Sequence, residues 1–285
     1  MLAGDLANGS MRRYQSPVAS KTSTGLPDMD DIFAGGLRKG GLYVVAARPG
    51  VGKSVLACVI AANAASAGHG VFFASLEMTE DEVMDRLIAR QGRVELNHLE
   101  THELTADDYR RVGEAVEKIE RWPMRIFDRP NMGLTTIRAK ARDMTRAKPP
   151  LGLVVVDYLQ LITAADPRQP REQQVASFSR GLKLLAKELS CPVLALAQLN
   201  RGSEQRSDKR PNMSDLREAG AIEADADAVL LLYEEPKRVG ELQVAIAKNR
   251  HGRRGQMELV WQPHYASAGK LKPEHAKPAN EWGAA

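Results

Sequence analysis

Lys53 and Ser54 close the stretch Ala46-Ala47-Arg48-Pro49-Gly50-Val51-Gly52-Lys53-Ser54. A lysine and a hydroxyl directly after a glycine-bearing turn suit one chemistry above others, the holding of phosphates. Successive backbone N–H groups form a nest for phosphate oxygens, and the following helix adds the partial positive charge of its N-terminus. In this pattern Lys53 reaches the β- and γ-phosphates of a nucleotide and the Ser54 hydroxyl sits on Mg²⁺, with Arg48, Pro49, Gly50, Val51 and Gly52 as the wall of the loop. The flanks agree. Leu42 to Ala46 is an apolar run that reads as a strand, and Val55 to Ala67 is an Ala-rich helical pattern. The alternative is a glycine-rich turn that holds no nucleotide; the coincidence of lysine, hydroxyl and strand–helix context favours the phosphate loop. Ala47 stands where the general pattern has its first glycine.

Hydrolysis of a nucleoside triphosphate also needs a metal site, a polarised water and compensation for charge spreading over the transferred group. Three polar residues follow apolar runs in a way that can supply these. Asp157 ends Leu153 to Val156 and fits an acid that orients Mg²⁺. Glu77 follows Val71 to Leu76 and fits a general base for the attacking water. Gln198 ends Pro192 to Ala197 and fits a γ-phosphate sensor. Taken singly, each is equally a helix cap, a solvated turn or a surface amide. Three at the carboxyl ends of apolar runs point to the ligand edge of an open α/β sheet. Lys248 and Arg250, after a late strand, read either as a basic hairpin tip or as a pair of functional cations.

The elements that must position these groups alternate. Strand-like runs at 42–46, 71–76, 124–127, 153–156 and 192–197 are separated by helical patterns, including one from Arg171 to Leu189, and β-rich segments follow at 229–233, 242–247 and 257–261. The sequence predicts an α/β fold, a mainly parallel twisted sheet flanked by helices with late antiparallel strands, the RecA-like P-loop NTPase core. Thr79 is expected to cap a helix, a helical region to about Arg121 is expected to break near Asn97-His98, and Ser214 is expected to cap a short helix. The predicted organisation is a flexible arm over 1–21, one RecA-like domain over 22–265 and a disordered tail over 266–285.

Composition narrows the class. With 285 residues, Lys+Arg 40 against Asp+Glu 36 and a net charge of +4, the overall charge argues only weakly for a polyanionic partner. Cys58 and Cys191 lack metal-site or redox spacing and suit a core in a reducing compartment. The apolar runs are shorter than a membrane span and the first residues lack a secretory pattern, so a cytoplasmic protein without a membrane partner is expected.

Several blocks resemble the C-terminal motor domain of DnaB-type replicative helicases. They are Thr24-Gly25 with Gly36-Leu37, Ala47-Arg48-Pro49 before Gly52-Lys53-Ser54, Ser75-Leu76-Glu77-Met78, Asp157-Tyr158-Leu159-Gln160-Leu161, Gln198-Leu199-Asn200-Arg201, and Ser214 to Gly220 continuing into Ile222-Glu223-Ala224-Asp225-Ala226-Asp227. The resemblance covers about Thr22 to Tyr265, and alanine at the first loop position is that family's usual residue.

The resemblance implies an ATP-dependent DNA helicase working as a homo-oligomeric, hexameric ring on single-stranded DNA during replication, translocating 5′ to 3′, with ATP and Mg²⁺ held between neighbouring subunits. It implies that Lys53, Ser54, Glu77, Asp157 and Gln198 take the roles above, and that Lys248 and Arg250 enter the neighbour's site in trans, Arg250 as the finger. Arg217, Glu218 and Gly220 match the loop that grips the DNA backbone, the alternative being a helix-capping surface loop; the basic stretch Arg201 to Arg210 is a second candidate near DNA or at the subunit interface, or equally a solvated loop. A loader or other replication partner is implied as well. The sequence departs from the family at Glu234, where an arginine is common, and in Gln262-Pro263-His264-Tyr265. It has about twenty residues before the resemblance begins, so the family's N-terminal collar and linker helix are expected to be missing. A RecA-like recombination or repair ATPase, or a truncated DNA-binding module that needs a partner for activity, are the competing readings.

Overall fold

The computed structural model describes residues 21–270 apart from 130, 165, 167, 201–209, 217 and 218. Its parallel strands are β1 (Leu42–Ala47), β2 (Gly70–Ser75), β3 (Met124–Asp128), β4 (Leu151–Asp157), β5 (Val193–Gln198) and β6 (Ala228–Tyr233). Then β7 (Glu241–Asn249), β8 (Gly255–Gln262) and β9 (Ser267–Lys270) continue the sheet antiparallel. Among the described residues these nine strands form one sheet in the order β3-β2-β4-β5-β1-β6-β7-β8-β9. The mainly parallel sheet with late antiparallel strands is the predicted architecture.

Helices cover both faces. In chain order they are α1 (Pro27–Ile32), α2 (Lys53–Ser66), α3 (Glu80–Gly92), α4 (Leu96–Thr101), α5 (Ala106–Ile119), α6 (Leu134–Thr145), α7 (Arg171–Leu189) and α8 (Ala219–Asp225). Alternation along β1 divides the core. Tyr43, Val45 and Ala47 pack on the face of α1 and α2, whereas Leu42, Val44 and Ala46 pack on the face of α6, α7 and α8. That two-sided burial explains why β1 reads as an unbroken apolar run rather than an alternating one. The small residues of α2 let it lie close on the sheet, with Leu56 to Ala62 buried.

Local signals set several boundaries. Thr79 caps α3 as expected: its hydroxyl accepts from Glu82 N at 3.2 Å while the Glu82 carboxylate accepts from Thr79 N at 2.7 Å. Thr105 and Asp108 repeat the device at α5.

Three expectations are corrected. Asn97 and His98 lie inside α4; the chain breaks instead at Arg93 and His102, both in the left-handed conformation (φ 52° and 59°). Leu99 is buried with Ala89, Val94 and Ala266, so packing overrides the weak helix preference of Asn-His. Next, Ser267–Lys270 forms strand β9, paired with β8, and Ala266 is fully buried. The folded chain therefore passes the expected boundary at 265, because backbone pairing needs no apolar alternation to announce it. Finally, Asn212 rather than Ser214 caps the short 3-10 turn Met213–Asp215.

Candidate nucleotide-binding site

The sheet order brings four strand ends together. β2, β4, β5 and β1 are adjacent, and their register aligns Ser75 with Asp157 and Ala47 with Gln198. The phosphate-loop stretch leaves β1 at this edge and enters α2. Glu77 leaves β2 there, two residues beyond Ser75, on a turn where the Ser75 hydroxyl donates to Met78 O at 2.6 Å. Thus Lys53, Ser54, Glu77, Asp157 and Gln198, read from separate segments, share the carboxyl edge of the parallel strands.

Gly52 starts α2 with φ 100°, a conformation that suits glycine, and a Cβ there would lie 2.2 Å from the Trp261 ring. Gly50 also has positive φ, at 82°, with open space where a Cβ would stand. Val51 N donates to Arg48 O at 3.3 Å, closing the turn. Arg48 reaches across to β5, where Nη1 donates to Leu199 O at 3.2 Å. Beside the loop an open cavity of 940 Å³ is lined by Arg48, Pro49, Val51, Tyr233 and Trp261.

Lys53 is the electrostatic centre. Its ammonium donates to the Glu77 carboxylate, lies 3.4 Å from Asp157 Oδ1, and sits 4.5 Å from the centroid of the Tyr158 ring. The Lys53 side chain is 10% exposed and that of Asp157 is 0% exposed, while Glu77 keeps 45% of its side chain open to water. The exposure separates the two acids. A carboxylate that takes a proton from water must be wet on one side; one that holds a cation is better walled in. Burial pushes the Asp157 carboxyl above its ordinary range, opposed chiefly by the Lys53 charge.

Asp157 Oδ2 is buried and accepts no hydrogen bond among the described residues. The Ser54 hydroxyl also reaches this carboxylate, and a buried carboxylate oxygen without a partner together with a hydroxyl is a hard-oxygen pair of the kind Mg²⁺ takes from a protein when phosphates and water complete its shell. The residues present fit that ion.

Gln160 is a residue whose part in the site the sequence did not reveal. Its carboxamide brackets the end of β5: Oε1 accepts from Gln198 N at 3.2 Å and Nε2 donates to Gln198 O at 3.4 Å. Arg171 at the start of α7 in turn donates to Gln160 O. The direction of Gln198 is thereby tied to the segment that carries Asp157. A glutamine three residues past an acid was visible, but only the β4–β5 adjacency shows what it grips.

Lys248 and Arg250 are not at this edge. β7 runs antiparallel to β6, pairing Lys248 with Val229 and Asn249 with Ala228, so the turn after β7 lies at the amino end of β6 and β1. The length of β1, about 16 Å at some 3.3 Å per residue, separates them from the loop of their own chain. Lys248 donates to Glu223 O and Arg250 Nη2 to Ala224 O at 3.0 Å, the last carbonyls of α8. The placement is a basic turn after β7 whose two cations rest on α8. Of the expected DNA-loop residues, Gly220 lies exposed in the first turn of α8, while Arg217 and Glu218 lie outside the described residues, as do 201–209. Arg210 is described and pairs with Glu235 at 2.9 Å. The segment before 217 is joined to β5, with Leu216 bridged to Leu199 and Asn200 N donating to Asp215 O at 2.8 Å.

Comparison with known proteins agrees with this fold. The replicative DNA helicase DnaB of Leifsonia xyli subsp. xyli (strain CTCB07) is 42% identical over 258 residues, 88% of this chain and 56% of that protein. Its counterpart from Geobacillus stearothermophilus is 38% identical over 250 residues, 85% and 55% respectively. The chain spans about half the length of these curated relatives. Among solved structures, the ATPase domain of G40P superposes with a TM-score of 0.88 at 30% identity, covering 95% of this chain and 99% of that one. A DnaB-like replicative helicase, described together with its interactions with primase, superposes at 0.87 with 30% identity, covering 95% and 67%. The sequence profile of the DnaB-like helicase C-terminal domain matches residues 22–269, a span that starts ahead of β1 and runs into β9. Fold and sequence therefore agree over the same residues, and the chain belongs to the DnaB-like helicase C-terminal domain family.

Proposed function

We propose that this chain hydrolyses ATP at interfaces between its own copies and couples turnover to movement along single-stranded DNA, 5′ to 3′, unwinding duplex during replication. The observation that carries the reading is the separation of two incomplete sets of groups. The loop, Glu77, Asp157 and Gln198 stand at one end of the sheet, and Lys248 and Arg250 at the other. A neighbour packed head to tail brings the second set of one copy to the first set of the next, and such a heterologous contact closes into a ring when the rotation allows. A hexamer is the closed form that the family resemblance favours.

The chemistry follows from the resting contacts. The Lys53 ammonium, held by Glu77 and Asp157, turns to the β- and γ-phosphates when ATP enters the nest, and Glu77 is released. Its exposed carboxylate then takes a proton from water as the water oxygen attacks the γ-phosphorus and the β–γ bridge oxygen leaves with ADP. Ser54 and Asp157 would hold Mg²⁺, which supplies neutralisation of the phosphate charge. Gln198 reads the presence of the γ-phosphate, and Arg250 of the adjacent copy meets charge that builds in the transition state. The cavity beside Arg48 and Trp261 has room for the nucleoside. On the DNA side, Arg217, Glu218 and Gly220 form the gripping loop, where a cation and backbone N–H groups track phosphates without reading sequence. A loader or another replication partner, and a cytoplasmic setting, complete this reading.

A forked duplex with ATP and Mg²⁺ tests it. Unwinding by the native chain and none by Lys53→Ala or Arg250→Ala is expected. Unwinding that survives Arg250→Ala sinks the assignment in trans, and filaments on DNA in place of rings would favour a RecA-like recombination ATPase.

A further inference from the structure

Asp227 lies in the two-residue link between α8 and β6 and is 4% exposed. Its Oδ2 accepts from Leu42 N at 2.7 Å and from Lys183 Nζ at 2.5 Å. Oδ1 faces the arm that follows β7, 3.7 Å from Arg250 Nη1 and 3.6 Å from His251 Nε2. The backbone joins in: Arg250 N donates to Asp227 O at 2.7 Å, and Asp227 N donates to Leu42 O at 2.8 Å. One residue thus ties three parts together, the first residue of β1, the middle of α7 and the finger arm. Burial would raise its carboxyl, but the Lys183 hydrogen bond and the Leu42 N–H outweigh burial and hold it below the usual carboxylate range. It is charged at neutral pH.

We propose that Asp227 is a positioning residue for Arg250, fixing the base of the finger so that its guanidinium is presented to the adjacent copy's γ-phosphate in one orientation. The inference rests on completion of the site in trans. The physical need is plain. Arg250 stands on a turn, its side chain is 47% exposed, and among the described residues its side-chain partner apart from Asp227 is the Ala224 carbonyl. A long side chain on a turn has many orientations, and stabilising a transition state in a neighbour demands few. A buried carboxylate is a costly group to retain for packing alone, and an asparagine would accept from Leu42 N equally well. What the charge adds is a hold on cations, and Lys183 and Arg250 are the two within reach, with His251 beside them. The same carboxylate anchors the start of β1, whose other end leads into the chain's own phosphate loop. The base of the finger is therefore registered to the strand that carries the loop.

Asp227→Asn tests this in the whole 285-residue chain by ATPase kinetics and by mixing. A positioning role predicts a fall in kcat of about tenfold to a hundredfold with KM for ATP changed less than threefold, since the loop of the same chain is untouched. Mixed with Lys53→Ala chains, which keep their finger and lose their loop, Asp227→Asn should regain up to about a quarter of native turnover. About one interface in four then joins an intact loop to an intact finger. Arg250→Ala mixed in the same way calibrates the assay. Lys183→Met removes the other claimant on the carboxylate and should keep kcat within twofold. Asp227→Asn combined with Lys183→Met covers the case in which the single variant fails to fold around an unpaired ammonium, and the same rescue is expected. The inference is overturned if Asp227→Asn keeps native kcat, if Lys183→Met loses as much as Asp227→Asn, or if mixing rescues Arg250→Ala and neither Asp227 variant. Full activity of Arg250→Ala, or its failure to be rescued, would instead overturn completion in trans, and this inference with it.

Discussion

The two ends of the sheet hold their charges in opposite ways. At the carboxyl ends of the parallel strands, Lys53, Glu77 and Asp157 satisfy one another, and two of the three are almost wholly withdrawn from water. At the amino ends, Lys248 and Arg250 rest on main-chain carbonyls of α8 and reach outward. The first arrangement is a preorganised receptor whose parts come from strands locked in register. The second is a pair of cations on a turn, kept by the carbonyls of a helix end and, for Arg250, by the Asp227 carboxylate. On the function proposed above, phosphate binding sits at one edge and charge compensation at the other, which would put turnover at the contact between copies.

The largest test of that difference is removal of the receptor's centre. Lys53→Ala should reduce ATP turnover by about a thousandfold or more and should weaken nucleotide binding as well, because the phosphates lose their cation. Arg250→Ala should also cost about a thousandfold in kcat, the low end for an arginine finger, yet leave nucleotide affinity in the chain's own loop within a few-fold. Fluorescent nucleotide titration beside steady-state turnover separates the two. Equal loss of affinity in both variants would mean that the ends are not independent.

Residues reveal the two ends unequally. The phosphate loop is legible because its chemistry is contiguous, and Glu77, Asp157 and Gln198 are legible because each follows an apolar run that must be a buried strand. Lys248 and Arg250 are visible as cations, but their role depends on which end of the sheet they occupy, and that follows from the antiparallel pairing of β6 with β7. Gln160 is silent for a related reason: its partners are backbone atoms 38 residues away. Asp227 closes a block that the resemblance picks out, but its contacts are not legible there, since its four neighbours, Leu42, Lys183, Arg250 and His251, come from three distant stretches. β9 escapes notice because Ser-Ala-Gly-Lys is held by ladder hydrogen bonds to β8, to which side-chain type contributes little.

A smaller effect sharpens the comparison from the packing side. Gly52→Ala puts a methyl against the buried Trp261 ring and into an unfavourable φ. A cost of about 1–3 kcal/mol is expected for overpacking, read as a lower Tm, together with loss of phosphate binding. The finger of that variant should be intact, so mixing with Arg250→Ala chains should restore turnover at interfaces where its arm meets their loop. Absence of any recovery would show that distortion of the loop is transmitted along β1 to the far end.

The smallest effect runs the other way, toward stability. Burial holds the Asp157 carboxyl above its ordinary range, so the folded chain takes up that proton more readily than the unfolded one. The sign follows from linkage. The favourable contribution of this group is fully present below the unfolded pKa and is lost as pH rises through the folded one, leaving a buried charge that opposes folding at neutral pH. Asp157→Asn removes the charge while keeping the shape. At pH 7 and without nucleotide it should raise Tm by about 2–4 °C, the shift that about 1 kcal/mol produces in a domain of this size, while abolishing turnover. Arg250→Ala, at an exposed site, should leave Tm within about 1 °C. Adding ATP analogue with Mg²⁺ should stabilise native more than Asp157→Asn and so narrow or reverse their difference. Thermal melts of the three chains over a descending pH series decide the matter: the gap between native and Asp157→Asn must shrink as the pH falls through the folded value, because protonation removes the same charge the substitution does. A gap that widens there would mean that the Lys53 ion pair, rather than burial, governs Asp157, and that the receptor end is held together by the charges it uses.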